Sequence, residues 1–406
     1  FQAEDGIRDA QESRGLGDVY KRQTSGKRTA FSLLEVLIAM FILTVGMLGI
    51  AAVVVIGNAS ALRAMVADRV ASVGRNALAE VCTREMLDAA RWVNVDGSPV
   101  IGNRDAPLPA AEAFCIDPLY ISAVIGQTGT APPDLGRFPY YSTVLSMRRV
   151  SLNIAFNPTQ PQLVLGNRKL WERVFVAEDD LVFDATALSR PRLLFRTDTG
   201  ATLPVPALPG DTGGGNPLYP DYQGMYSWMV TVVPQVPGAP ASAQKYLVSV
   251  VVFRNRNLLW RDDPTADLPG ERVAVANFLG GGDVRLSVPT TAVGIADADE
   301  YLNVPAGQYL LLGGRATVGT NPQQFQNVFL WYRVIASGEL SQVGNSYQRE
   351  FTLAGPDWNP TWCAQADTDG DGIAQEAQAI LCTNVYGVYT QVVEPDVLSR
   401  WSASSP

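Results

Sequence analysis

The feature that most constrains this chain is an apolar segment near its beginning. Residues 31–57 read FSLLEVLIAMFILTVGMLGIAAVVVIG and contain a single ionisable side chain, Glu35. A helix of that length extends about 40 Å, which exceeds the roughly 30 Å hydrocarbon core of a bilayer. The apolar part of a secretory signal is shorter, about 7 to 15 residues. The segment is therefore predicted to form a helix that spans a membrane.

Basic residues flank this segment unequally. Lys27 and Arg28 precede it, whereas the next basic residue after it is Arg63. Since basic residues remain preferentially on the cytoplasmic side of a membrane, the N-terminal flank is predicted to be cytoplasmic. The rest of the chain is then expected on the opposite side.

Glu35 is the unusual residue of the segment. A carboxylate within an apolar helix costs a few kcal/mol on insertion, and such a residue usually has a partner of opposite charge. A cation is therefore expected close to Glu35 in the assembled state.

The sequence around Glu35 resembles a known signature. Ala30 is followed by FSLLEV, in which the phenylalanine is Phe31 and the glutamate is Glu35. This order resembles the cleavage and methylation signature of type IV prepilins. The resemblance implies that a prepilin peptidase of the inner membrane cuts after Ala30 and methylates the new amine of Phe31. It also implies that Glu35 neutralises the Phe31 amine of a neighbouring pilin subunit. A plain single-pass anchor is the alternative.

Two details of the segment resemble a subgroup of that family. Residues 45–51, VGMLGIA, look like the glycine-bearing continuation of PilV-type minor pilins and minor pseudopilins. Major pilins usually carry a proline at the position that Ala52 occupies here. Both details favour a minor subunit, and Ala30 in place of the commoner glycine remains compatible with cleavage.

The apolar pattern continues beyond residue 57 as an amphipathic one, which predicts one helix of about 60 residues.

Residues 1–23 resemble a translated sequencing adapter and are left out of the fold prediction. The predicted organisation is a non-native segment at 1–23, a leader at 24–30, a membrane or filament-core half-helix at 31–57, an amphipathic half-helix at 58–94 and a β-rich domain at 95–406.

The region after residue 95 is rich in proline, glycine and β-branched residues, which predicts short strands. Predicted strands cover residues 141–156, 170–176, 226–233, 246–253, 328–335 and 385–393. Residues 226–233 and 246–253 are predicted to pair antiparallel beneath the helix. The glycines at 280–282 and 313–314 are predicted to form hairpin turns. The fold class is α+β, with a long N-terminal helix on an antiparallel sheet and an enlarged β-rich head, as in pilins.

The chain has four cysteines, all of which follow the apolar segment. Disulfides are predicted between Cys82 and Cys115 and between Cys363 and Cys382, each closing a short loop. Buried free thiols are the alternative, and a metal site is disfavoured because no pair has CxxC spacing.

An acidic loop lies between the last two cysteines. Asp367, Asp369 and Asp371 alternate along the chain, a glycine follows, and Ile373 offers a backbone carbonyl. Oxygen ligands at this spacing suit a structural Ca²⁺ ion. The twelfth position is Gln378 rather than the usual glutamate, although Glu376 is close, so a complete EF-hand is not expected. A solvated acidic turn is the alternative.

Composition narrows the function. The chain has no histidine, which excludes Ser-His-Asp catalysis and histidine-ligated metals, and no enzyme activity is expected. Its net charge of −9 disfavours nucleic acid as a partner. The predicted function is that of a minor pilin or pseudopilin in a type IV pilus or type II secretion pseudopilus. The alternative is a membrane-anchored or tip-displayed, adhesin-like binding module whose head is stabilised by Ca²⁺.

Overall fold

A computed structural model describes most of the chain from residue 33 onward. The described residues are 33–101, 112–140, 142, 145–153, 165–177, 195–196, 202–203, 219–220, 225–239, 244–258, 270–292, 295–318, 325–363 and 377–394. The chain divides into two compact units, residues 1–63 and residues 64–406.

The long predicted helix is present as α1, Leu33–Thr83. It ends earlier than the predicted amphipathic segment, which was placed at 58–94. Glu85 adopts a left-handed conformation with φ of 52°, and the N–H of Met86 donates to the Val81 carbonyl at 3.0 Å. The N–H of Glu85 donates to the Cys82 carbonyl at 3.2 Å. These two bonds form a Schellman cap, which stops the helix without the glycine that usually occupies this position.

The described residues of the second unit form three further α-helices and seventeen strands. The helices are α2 Pro118–Thr128, α3 Arg168–Phe175 and α4 Ile295–Tyr301. Strands before residue 260 are β1 Trp92–Val93, β2 Phe114–Ile116, β3 Arg137–Phe138, β4 Met147–Leu152, β5 Phe195–Arg196, β6 Thr202–Leu203, β7 Tyr219–Pro220, β8 Tyr226–Pro234 and β9 Tyr246–Arg254. Strands after it are β10 Glu271–Gly280, β11 Asp283–Pro289, β12 Tyr309–Thr317, β13 Phe325–Ser337, β14 Ser341–Val343, β15 Ser346–Ala354, β16 Ala377–Cys382 and β17 Val385–Val393.

The first sheet, called the frame sheet here, has the strand order β1-β4-β2-β8-β9-β17, with β3 also paired to β4. All its pairs are antiparallel except β2 with β4. The predicted pairing of β8 with β9 is confirmed, with Val230 opposite Val250. The C-terminal part of α1 packs on one face of this sheet through Val73, Ala77 and Val81. The predicted α+β class, with a helix on a sheet, is confirmed.

The second sheet closes on itself. Its order is β11-β10-β16-β12-β13-β15, and β11 also pairs with β15, so six antiparallel strands form a barrel to which β14 adds a short hairpin. Alternate residues such as Leu310, Leu312 and Ala379 form the core inside the barrel. Leu311 and Ile380 point outward into a separate core shared with the frame sheet.

The barrel is an insertion within the frame sheet. Strands β9 and β17 are antiparallel neighbours, with Phe253 opposite Val385. All barrel strands lie between them in sequence, so the barrel occupies the place of a hairpin loop.

A third, small sheet joins β5 with β6 and β7.

Two local predictions are wrong. Residues 170–176 were predicted as a strand but lie largely in helix α3, because the side chain of Asn167 accepts a hydrogen bond from the N–H of Leu170 and caps the helix. The predicted turn at Gly313 and Gly314 is the middle of β12. A side chain at Gly313 would meet the ring of Phe329, so glycine there permits close packing. The turn at residues 281–282 is confirmed.

Helix α1 approaches the frame sheet most closely at two glycines. A Cβ atom added to Gly74 would overlap the ring of Tyr389, and one added to Gly387 would lie 2.5 Å from Val70 Cγ1. Glycine at both positions therefore lets the helix lie directly on β17.

We predict that Gly74→Ala destabilises the second unit by about 1–3 kcal/mol through overpacking. This loss outweighs the gain of up to about 1 kcal/mol in helix propensity. Gly57→Ala is the matched control, because nothing lies within 4 Å of a Cβ atom there. The measurement is urea unfolding of the full chain in detergent micelles, followed by tryptophan fluorescence. A Gly74→Ala protein at least as stable as wild type would show that the close approach is absent.

Candidate functional site

The first half of α1 has apolar side chains around its whole circumference. Leu33, Leu48 and Ile50 are 80%, 74% and 68% exposed, and no residue of its most apolar stretch is buried. A contiguous apolar surface of this kind requires a non-aqueous neighbour, such as lipid or other helices. By length and composition the helix is able to cross a membrane.

Glu35 lies in the first turn of α1. The N-terminus of a helix carries a partial positive charge, which favours a carboxylate there by about 0.3–1 kcal/mol. The predicted processing residues Ala30 and Phe31 lie outside the described residues.

Three glycines lie along the same surface. Added Cβ atoms at Gly46, Gly49 and Gly57 would meet nothing within 4 Å. The helix continues through all three positions without interruption. These glycines leave shallow depressions where a second helix could approach closely.

The four cysteines do not form either predicted disulfide, because all four are free thiols. Cys82 is on α1, whereas Cys115 faces the core between the frame sheet and the barrel, on the side of the sheet away from α1. Cys363 belongs to the core inside the barrel and Cys382 to the core outside it. Burial raises the pKa of Cys115 well above its usual value, which disfavours the reactive thiolate form.

The acidic loop with Asp367, Asp369, Asp371, Ile373 and Glu376 lies outside the described residues. Within the described ranges, no group of three or more acidic or cysteine side chains is arranged to hold a metal ion. Gln378, the twelfth position of the predicted loop, lies in β16, and its amide donates to Ser142 Oγ at 3.0 Å.

A buried cluster of four charges lies between the frame sheet and the barrel. Arg256 makes a bidentate pair with Asp117, with Nη1 to Oδ1 at 2.8 Å and Nη2 to Oδ2 at 2.5 Å. Arg149 donates to Glu271, and its Nε lies 3.7 Å from Asp117 Oδ2. Asp117 caps α2, Arg149 is on β4 and Glu271 is on β10 of the barrel. The cluster therefore links the two β-structures.

Aromatic rings enclose this cluster. The guanidinium of Arg149 lies 4.3 Å from the centre of the Tyr120 ring, and that of Arg256 lies 4.4 Å from the Phe253 ring. Arginine is the cation suited to such a place, because its planar group can stack and bind a carboxylate at once. The four charged side chains pair with one another across the two β-structures, which is a contribution to packing.

The two carboxylates have opposite pKa shifts. Burial opposes ionisation of Asp117, but the charge and hydrogen bonds of Arg256 outweigh burial and hold its pKa below the usual value. Burial raises the pKa of Glu271 despite Arg149 and Arg256. Sequence reasoning missed this cluster, because its members lie far apart in the chain. The local signal that the sequence offered was Arg149, which lies within the predicted strand at residues 141–156.

Residues 26–51 match the family model described as the prokaryotic N-terminal methylation motif. No curated protein and no solved structure matches the chain. The chain thus carries a prepilin-type methylation motif at the start of an exposed apolar helix, which is consistent with a type IV pilin-like protein. The motif is that of a structural family, whose members are processed by prepilin peptidase, anchored in a membrane and assembled with other pilin subunits.

We predict that Asp117→Asn lowers the free energy of unfolding by about 3–5 kcal/mol, since it leaves two buried arginines facing one carboxylate. Asparagine retains the helix cap. Glu271→Gln should cost less, roughly 1–3 kcal/mol, because burial raises the pKa of Glu271 and makes its charged form less favourable than that of Asp117. Denaturant unfolding of the full chain in micelles at pH 7 measures both values.

The pH dependence provides the control for this pair. A lowered pKa of Asp117 in the folded state stabilises the fold above the unfolded-state pKa, and this contribution is lost as the pH falls through the folded-state value. The difference between wild type and Asp117→Asn should therefore shrink in acid. A larger cost for Glu271→Gln than for Asp117→Asn would contradict the assignment.

Proposed function

We propose that this chain is a minor pilin or minor pseudopilin, a structural subunit of a type IV pilus or a type II secretion pseudopilus. The observation that carries the proposal is the coincidence of the methylation motif at residues 26–51 with the beginning of the exposed apolar helix α1. The motif supplies a cleavage site, and the helix supplies a surface that needs other helices or lipid.

Processing would create a positive charge that can pair with Glu35 of a neighbouring subunit. Cleavage after Ala30 would leave an N-methylated amine on Phe31, at one end of an apolar helix. In the hydrocarbon core an isolated amine or carboxylate is costly, whereas a pair of opposite charges on adjacent subunits reduces both costs. Pairing of Glu35 with the Phe31 amine of a neighbour would also set the axial register of the packed helices.

Two observations support a minor subunit. The glycines Gly46 and Gly49 lie in an uninterrupted helix, with Ala52 where major pilins usually have proline. The frame sheet also carries an inserted barrel between β9 and β17. In a filament shaft, every neighbouring subunit would have to accommodate the volume of this barrel. A subunit at the filament tip, or one incorporated only occasionally, fits this structure better than a subunit repeated along the shaft.

The orientation follows from the same proposal. Lys27 and Arg28 would hold the leader in the cytoplasm, with α1 in the inner membrane before assembly. The second unit, residues 64–406, would then lie in the periplasm or on the filament at the cell surface.

The inserted barrel favours a second candidate function, that of a displayed, adhesin-like binding module. The acidic loop at residues 364–376 connects two parts of the barrel in sequence, Cys363 and β16. A Ca²⁺ ion held by Asp367, Asp369, Asp371, the Ile373 carbonyl and Glu376 would stabilise that loop.

We predict that Glu35→Leu is inserted into the membrane and cleaved after Ala30 but is not recruited into filaments. Leucine removes the charge that neutralises the neighbouring amine while keeping the helix apolar. Thr44→Leu is the matched control, because Thr44 makes only a hydrogen bond within α1, to the Phe41 carbonyl at 2.9 Å, among the contacts described. Mass spectrometry of the N-terminus and immunodetection in sheared filaments provide the measurements.

Two results would count against the subunit proposal. One is an uncut leader when the chain is co-expressed with a prepilin peptidase, which would leave a tethered module. The other is recruitment of Glu35→Leu at the level of Thr44→Leu.

We predict that Ca²⁺ raises the thermal midpoint of the wild-type chain but not that of Asp369→Asn, which loses a charged ligand. Asp297→Asn, on the exposed first turn of α4, is the control and should respond as wild type does. Differential scanning fluorimetry with and without a chelator measures the shift. Equal stabilisation of all three proteins by Ca²⁺ would remove the proposed loop site.

A further inference from the structure

The sheet edges of this protein differ in how well they are protected. Natural proteins shield exposed edges by shortening the strands, adding charges or proline, or closing the sheet. In the described part of the chain, β1 has two residues and β14 three, and the six principal strands of the barrel have no edge at all. Strand β17 has nine residues, and it lies at the edge of the frame sheet.

The composition of β17 gives it none of the usual protection. Its sequence is VYGVYTQVV, with no charged residue and no proline. Its first half contains a bulge between Val385 and Gly387, but the register from Gly387 to Val393 is regular. Thr390, Gln391 and Val392 are exposed. An uncharged, exposed, regular edge of this length is a template for another strand.

The register shows which backbone groups face outward. The N–H of Asn255 donates to the Met225 carbonyl and that of Gln235 donates to the Lys245 carbonyl, so odd-numbered residues of β9 bond toward β8. Because hydrogen-bonding directions alternate along a strand, even-numbered residues of β9 bond toward β17. Their partners include Tyr389 and Gln391.

The residues between those partners therefore direct their backbone groups away from β9. These residues are Val388, Thr390 and Val392. The Oγ atoms of Thr390 and Ser249 lie 2.8 Å apart, as expected for a closely spaced pair whose backbones do not bond to each other. Among the described residues, no strand other than β9 pairs with β17.

We propose that the free edge of β17, from Val388 to Val393, receives an extended, uncharged segment of a second protein, which adds a strand to the frame sheet. The chemistry of the edge defines this partner. An added strand would place side chains beside Tyr389 on the α1 face and beside Val388 on the barrel face. Neither position offers a charge in β17 to compensate a charged side chain, so alternating apolar and hydroxyl residues fit best.

A second copy of this chain fits less well. Antiparallel pairing of two β17 edges relates the copies by a twofold axis normal to the sheet. Such an axis reverses the direction of the part of α1 that packs on the sheet. Two copies in which this part of α1 points the same way, as the proposed filament requires, cannot adopt this arrangement. The argument against a second copy rests on the proposed function, whereas the observation that β17 has a free edge does not depend on it.

The test uses the full chain in detergent micelles and a capped, fluorescent hexapeptide of alternating threonine and valine. Val392→Pro removes one outward N–H without removing a bond to β9, and Val392→Thr is the matched control. We expect saturable binding to wild type and Val392→Thr, and about tenfold weaker binding to Val392→Pro, which loses a hydrogen bond and crowds the added strand. Hydrogen exchange at Val388, Thr390 and Val392 should slow when the peptide is bound.

Several results would overturn the proposal. The first is equal binding of the peptide by Val392→Pro and Val392→Thr. The second is hydrogen exchange at the three amides that does not change when the peptide binds. The third is protection of these amides before any peptide is added, which would show that another part of the chain covers the edge. Dimerisation that Val392→Pro abolishes would assign the edge to a second copy. If Val392→Pro does not fold, a peptide N-methylated at alternate amides replaces it and must fail to bind wild type. Since binding in micelles needs no cleavage after Ala30, failure here is distinct from failure of the proposed function.

Discussion

The antiparallel ladder between β9 and β17 is the interaction on which the second unit depends. It joins two strands that are separated in sequence by the whole barrel, and it completes the sheet that receives α1. Val388 of the same ladder contributes to the core against which the barrel packs. The buried charges of Asp117, Arg149, Arg256 and Glu271 then fix the barrel to this sheet. Apolar packing is non-directional, whereas buried charge pairs with defined partners favour one position of the barrel.

The two halves of helix α1 have different surfaces and therefore need different neighbours. From Val70 to Val81 one of its faces is buried against the frame sheet, and glycine at position 74 permits direct contact with Tyr389. In its first half every face is apolar and exposed. A water-soluble protein would not retain such a surface. The methylation motif at residues 26–51 explains this exposed apolar surface, because proteins with the motif use the segment for membrane anchoring and subunit packing.

The sequence predicted those elements whose signals are local. Strands β8, β9 and β17 are rich in β-branched and aromatic residues, and the apolar start of α1 has one ionisable side chain. The end of α1 was misjudged, because Glu85 takes a conformation that usually requires glycine. The barrel could not be foreseen, since its closure depends on the pairing of β11 with β15 across a long stretch of sequence. The predicted cysteine pairs were chosen by loop length, without regard to which face of a strand each cysteine occupies. The charge cluster joins residues from four distant parts of the chain.

The position of the barrel between β9 and β17 also bears on the order in which the chain folds. If Arg254 and Val385 paired while the connection between them was unfolded, they would have to close a loop of the intervening 130 residues. The entropy lost in closing such a loop opposes early pairing of β9 with β17. A barrel that forms first brings its own ends, Glu271 and Cys382, into register as neighbours on β10 and β16. The connection that remains to be closed is then short. Hierarchical folding, with the inserted module before the host sheet, is the kinetically accessible route for this topology.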